Sequence, residues 1–442
     1  MIPAVTISKI FSNLEQTGSI LQFAVKDGAN SAGMTAGSYI TGDSLEGKDR
    51  LIDEVGAGLI WLLGIRAFNP LVDKTLFKAF KLDPKVDVRN LKDAIREKAI
   101  QHGSKDVQDS IKNAFEHQKL FKHLNVAKFL ISTGLTVAAY FALTVWRHKH
   151  TEENAKKQIL LENRMKENKS HFFTGQPSFE AFYNNKEMLR ETGHFARNQE
   201  ISAKVVKQVQ HDKRPSFTGI QQILLNPAWN MMFVDGAITT ERLTKSRSPQ
   251  DFIGYTIKEG GFWFFVYFAS KKLQNFFENR SKLNIKLDSK VIEGNELKNK
   301  LGTKELADDL KAFPKTGDIY DFIHNNPENF IVKTAKTAGL ITEKDGKIDT
   351  RLFIDTKKIK DIKENLAALD EQFRVSKLGK DAFMKKVVNL KRWCIGKNIG
   401  TCILALGVVV PGIMVLARHL NDDKDFEVKK RLEAQMAAQG TL

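Results

Sequence analysis

Residues 129–146 read FLISTGLTVAAYFALTVW, eighteen positions without a charge, and the class of the whole chain turns on them. At about 1.5 Å per residue, a helix of this length reaches nearly across the ~30 Å hydrocarbon core of a bilayer. Trp146 beside Arg147, His148 and Lys149 supplies an interfacial aromatic and a basic flank at its end. Residues 399–417 (IGTCILALGVVVPGIMVLA) form a second such stretch, bounded by Lys397 and by Arg418-His419. Pro411-Gly412 predicts a kink in it, which membrane helices tolerate. The two stretches together predict a mainly α-helical integral membrane protein with two spanning helices.

Working outward, three further apolar stretches are shorter or interrupted. Residues 55–65 (VGAGLIWLLGI) are too few for a crossing, which takes about 20 residues. They read as a re-entrant or interfacial helix, or as the start of a span that continues past Arg66. Residues 217–234 carry no charge but contain Asn226-Pro227, and proline removes a ladder hydrogen bond in mid-segment. Residues 252–270 are interrupted by Lys258 and Glu259 before an aromatic run suited to an interface or to tight packing.

The remainder is polar. Charged residues make up 27% of the 442, so any membrane portion is local. The organisation expected is a polar N-terminal segment with an amphipathic helix (1–50), a first membrane unit (51–165) and a soluble linker (166–216). A second apolar region (217–280), a soluble, mainly helical inserted domain (281–392) and a final span with a polar tail (393–442) follow. Ile10, Leu14, Leu21 and Val25 predict one amphipathic helix over residues 6–26, and the small residues from Gly28 to Thr41 a loop or short packed helix. In the inserted domain, Asp345-Gly346 signals a hairpin turn, and Ile359, Ile362, Leu366, Leu369 and Phe373 mark a helix capped by Asp355 or Thr356.

An ungapped shift of 205 positions superposes Ile52, Glu54 and Gly56 on Ile257, Glu259 and Gly261, and Lys81-Leu82-Asp83 on Lys286-Leu287-Asp288. This points to an internal duplication, each half ending in an apolar span followed by Arg-His.

The net charge of +17 favours polyanions, and beside apolar spans the nearest polyanion is an anionic lipid surface. Nucleic acid is disfavoured, because no zinc-finger spacing, aromatic RNA-binding signature or arginine tract occurs. Cys394 and Cys402 are about 12 Å apart along one helix and cannot pair. His148 and His150 point away from each other on a helix, and the 339–350 segment lacks the carboxylates of a calcium loop. No phosphate loop, dinucleotide fingerprint or catalytic elbow is present, so no catalytic residue, cofactor or metal is assigned, and a membrane-embedded enzyme ranks third behind the readings below.

Glu54 and Glu259 are the candidate functional acids, each opening or interrupting an apolar stretch, where a carboxylate is expensive. Their alternative is an interfacial role near a helix N-terminus. Asn226, Pro227, Asp235 and Gly236 are candidate broken-helix positions lining a polar path, or a plain turn. The expected protein is multi-pass, in the plasma (inner) membrane of a bacterium, without a cleaved signal peptide. It is read as a membrane-anchored scaffold or interaction protein that touches anionic head groups and an unknown protein partner. The alternative is a transporter or pore-forming protein of two repeated halves.

Overall fold

The computed structural model describes residues 4–16, 19–41, 44–172, 227–246, 249–314, 318–420 and 427–438. These are mainly helical. The long helices are α1 (Ala4–Glu15), α2 (Ile20–Thr41), α3 (Ser44–Val72, continued by a π turn, Asp73–Phe77), α6 (Gln118–Phe172) and α7 (Pro227–Thr244). Between α3 and α6 lie a 3₁₀ turn (Val88–Leu91), α4 (Asp93–His102) and α5 (Lys105–Glu116). The helix α8 runs through Pro249–Trp263, a π turn at Phe264–Ala269 and Ser270–Asn279. Five short helices follow: α9 (Ser289–Ile292), α10 (Asn295–Lys300), α11 (Lys304–Ala312), α12 (Ile319–Asn325) and α13 (Phe330–Thr337). After a two-stranded hairpin come α14 (Thr356–Ser376), α15 (Lys380–Leu404, a π turn at Ala405–Val409, then Val410–Leu420) and α16 (Glu427–Ala438).

Among the described residues, three helical runs are long and apolar enough to cross a membrane: Ser44–Phe77, Gln118–Met165 and Lys380–Ala417. Two contain the stretches that sequence singled out, and in the third residues 55–65 are not a short helix but run on past Arg66, the other of the two readings of that stretch. That apolar run is the middle of α3, which extends both ways through charged residues. Its buried face shows why: Glu46, Asp49, Arg50, Asp53 and Glu54 share one helical stripe with Ala57, Trp61 and Ile65, polar in its first half and apolar in its second. Pro411 requires a change in the ladder of α15, and the π turn at Ala405–Val409 directly precedes it.

Two other expectations are corrected. Residues 6–26 are not one helix, because α1 ends at Glu15 and α2 starts at Ile20. The small-residue stretch from Gly28 is the body of α2. Ala29, Gly33 and Gly37 recur every four residues and admit α15 at backbone distance: a Cβ on Gly33 would lie 2.3 Å from the Gly407 carbonyl oxygen. Small residues that signal loops in water permit close helix packing here.

The central bundle packs Phe23 of α2, Trp61 of α3, Tyr140 of α6, Val234 of α7, Phe262 and Val266 of α8 and Leu406 of α15 into one core. The helices α6 and α7 run the same way, with Phe129 against Phe233 (5.4 Å between ring centroids) and Tyr140 bonded to Glu241. A second, larger core joins residues of the 77–124 region to residues of the 285–394 region, among them Phe77, Ile111, Phe121, Ile292, Ile331, Leu366 and Phe383. The basic amphipathic region and the inserted domain therefore form one body. Its hairpin pairs Glu343–Lys344 with Lys347–Ile348 across Asp345 (φ 53°) and Gly346 (φ 75°), as the Asp-Gly signal predicts. Asp355 caps α14 by accepting from the Lys358 amide. At the opposite end of the bundle, Leu45, Ala155, Ile159 and Leu432 tie α16 to α3 and α6.

Candidate functional site: a charge network inside an apolar bundle

The bundle inverts the usual distribution of polarity. On α6 the buried stripe is Ser132, Thr136, Tyr140, Thr144, Arg147 and Thr151, whereas Leu130, Ile131, Leu135, Val145 and Trp146 face outward. Ser132 Oγ donates to the Lys128 carbonyl and Thr136 Oγ1 to the Ser132 carbonyl, so these hydroxyls are satisfied within their own helix. Phe264 and Phe268 of α8 and Val408, Val409 and Leu416 of α15 are likewise exposed.

Inside, helices α3, α6, α7 and α8 bring charges together. Lys258 Nζ stands 2.8 Å from Glu54 Oε1 and 3.0 Å from Glu259 Oε1. Arg242 reaches Glu259 at 2.6 Å and Asp53 at 3.2 Å. Arg147 holds the other oxygen of Asp53 at 3.2 Å and lies 3.7 Å from Asp49, which also accepts from Thr151 Oγ1 at 2.5 Å. Arg50 sits 3.9 Å from Glu54 and over the Tyr255 ring. Tyr140 donates to Glu241, and Thr239 to Glu259, each at 3.2 Å. Such ions are tolerated away from water only as mutual partners, and removing one strands the others.

Structure thus places the two sequence candidates, Glu54 and Glu259, on one lysine. Asp235 and Gly236 are not a turn or a break: both lie inside the continuous helix α7. The described part of the helix begins with Pro227, and Asn226 lies outside the described residues. Asp235 lines a cavity of about 20 Å³ together with Asp27, Asn30, Glu54, Arg242, Lys258 and Glu259. Gly58 leaves room for Asp27, whose Oδ2 stands 2.5 Å from where a Cβ would be.

Sequence reading missed Asp27, Asp53, Arg147 and Arg242 as members of the network, and read Lys258 only as a neighbour of Glu259. A signal was present: Asp27-Gly28-Ala29 recurs as Asp235-Gly236-Ala237. The buried positions Phe23, Lys26, Asn30 and Met34 of α2 then correspond to Met231, Val234, Ile238 and Arg242 of α7, all buried. Gly56 and Gly261, equated by the 205-residue shift, play matching parts. A Cβ on each would fall 2.5 Å from Leu143 of α6 and 2.7 Å from Val410 of α15, respectively.

A second buried cluster sits where the bundle meets the larger core. Lys391 of α15 is enclosed by Glu15 of α1 and Glu278 of α8, and Glu15 accepts from the amide and hydroxyl of Ser289. Its role is to fasten four elements together. Among the described residues no group of three or more His, Cys, Asp or Glu side chains could hold a metal ion. Both cysteines are free and buried, and His150 stacks on Trp146 rather than facing His148. No family model matches the chain, and no curated protein or solved structure matches it.

Proposed function

We propose that this chain is a multi-pass integral membrane protein that works as a membrane-anchored scaffold or interaction protein, presenting its larger helical body on one side of the bilayer. The observation that carries this reading is the inside-out bundle. Asp53 and Glu54 are 1% and 3% exposed, while Leu130 and Val408 are each 60% exposed. In water that exterior would be an apolar patch far above what a soluble monomer shows, whereas in lipid it is the ordinary solvent-facing surface. The helix α6 is about 80 Å long at 1.5 Å per residue, so it emerges from a ~30 Å core into water. The lysine-rich larger body suits contact with anionic head groups, with a protein partner docking on the same body.

The experiment combines alkaline carbonate extraction with labelling of single cysteines in a background lacking Cys394 and Cys402. The protein is expected in the carbonate-resistant pellet. Cysteines at Glu97 and Lys357 are expected to label from one face of sealed vesicles, and those at Lys48 and Gln435 from the other. Release by carbonate, or equal labelling of all four from one face, overturns the reading.

A second reading, a transporter of two repeated halves, is favoured by the polar cavity. Glu54 with Ala57 and Glu259 with Phe262, pairs separated by 205 residues, line it from opposite helices. It predicts that Glu54→Gln abolishes an ion flux in proteoliposomes with the protein still folded, whereas the scaffold reading predicts loss of folded protein.

A further inference from the structure

The charges lining the central cavity do not balance. Asp27, Glu54, Asp235 and Glu259 face it, against Arg242 and Lys258. Both cations are committed: Lys258 to Glu54 and Glu259, Arg242 to Glu259 and Asp53. Asp27 and Asp235 form no ion pair within 4 Å among the described residues. Among the described residues Asp235, 5% exposed, has no hydrogen-bond partner for its Oδ2, and Asn30, 1% exposed and lining the same cavity, has none for its Oδ1. An ionised carboxylate without partners in such a place is costly, and protonation removes the cost while turning an acceptor into a donor. At about 20 Å³ the cavity has room for one water-sized species and no more. A multidentate metal site is not what this geometry offers, because among the described residues no three His, Cys, Asp or Glu side chains are placed to hold an ion.

We propose that the cavity is a proton-binding site in which Asp27 and Asp235, the acids of the repeated Asp-Gly-Ala triplets, one from each half of the bundle, hold exchangeable protons. Each takes a proton on a carboxylate oxygen and gives it up as the same oxygen, with no other bond made or broken. The groups that face them set the balance from every side: Glu54 from α3; Arg242 from α7; Lys258 and Glu259 from α8, with the half-buried Tyr267 of α8 nearby, its hydroxyl oxygen without a hydrogen-bond partner among the described residues. The repeat makes the pair intelligible, since one triplet on α2 and one on α7 deliver equivalent acids to one cavity. The inference goes beyond the scaffold reading and requires no flux, only equilibrium protonation.

The test is infrared difference spectroscopy of the full chain in lipid nanodiscs, titrated from alkaline to mildly acid pH. The wild type is expected to show a protonated-carboxyl carbonyl band that grows as pH falls and shifts in heavy water. Asp27→Asn and Asp235→Asn are each expected to remove roughly half of it, because two coupled acids carry it. No such band in the wild type, which needs no variant to fold, overturns the proposal. So does a band left unchanged in both variants.

Discussion

Lys258 stands within ion-pair distance of both repeat-related acids, 2.8 Å from Glu54 and 3.0 Å from Glu259. Its replacement by methionine leaves Glu54 with more distant partners, Arg50 at 3.9 Å and Arg242 at 4.0 Å, while Glu259 keeps Arg242 at 2.6 Å. Stranding a buried charge typically costs about 3–5 kcal/mol. Lys258→Met is therefore expected to lower thermal stability severely, and Lys258→Met combined with Glu54→Gln to be more stable than Lys258→Met alone. Strictly additive melting shifts in that double-mutant cycle would refute the coupling.

Lys26 gives the opposite expectation. It is fully buried, its Nζ donates to Ser270 Oγ at 2.6 Å, and among the described residues no carboxylate lies within ion-pair distance. Methionine has nearly the same shape and no charge to bury, and Ser270 still receives the Gln22 amide at 3.2 Å. Lys26→Met is expected to be neutral or stabilising by up to ~4 kcal/mol, the range seen when buried ions give way to apolar isosteres. A large drop in melting temperature would show that Lys26 does more than fill space.

The glycines of α2 separate by position. A methyl on Gly33 would meet the Gly407 carbonyl oxygen at 2.3 Å, a backbone atom that cannot swing aside, whereas one on Gly28 meets nothing within 4 Å. Gly33→Ala is expected to force α2 from α15 at a cost of about 1–3 kcal/mol. Gly28→Ala is expected to be neutral or to stabilise by up to ~1 kcal/mol through helix propensity. Equal melting temperatures for the two variants would mean that α2 and α15 do not touch as described.

These residues show what could be read in advance. The two longest apolar helical stretches were legible because uninterrupted apolar runs need no partner to be interpreted, and the Asp345-Gly346 turn and Asp355 cap because their chemistry is local. What escaped was everything whose meaning lies on another helix. Asp49 and Asp53 look like the polar end of an apolar segment, yet they continue α3 because Arg147 and Arg242, about one and two hundred residues away, complete them. Asp235-Gly236 carries a turn signature that helical packing overrides. The small residues of α2 have one meaning beside water and another beside a second backbone.

The larger body carries its own acid sensitivity. His324 stacks on His102 at 4.2 Å and on Tyr320 at 4.7 Å, and its Nδ1 donates to the Tyr320 carbonyl at 2.8 Å. Burial holds its pKa below the ordinary imidazole value and neighbouring His102 adds to that, against the opposing carbonyl bond. The unfolded chain therefore takes up a proton that the folded one refuses, so stability falls as pH drops below about 6.5 and stops falling below the folded value. Asp321 acts in a lower window. The hydrogen bond from His102, with Lys98 adding to it, holds its carboxyl below the usual range, so its contribution persists above about 3.9 and is lost as pH falls through the folded value. His324→Phe keeps a stacking ring and removes the titration. Thermal melts of the two proteins are expected to diverge between neutral pH and about pH 5, wild type losing melting temperature while the variant holds. Parallel curves across that window would remove His324 as the titrating group.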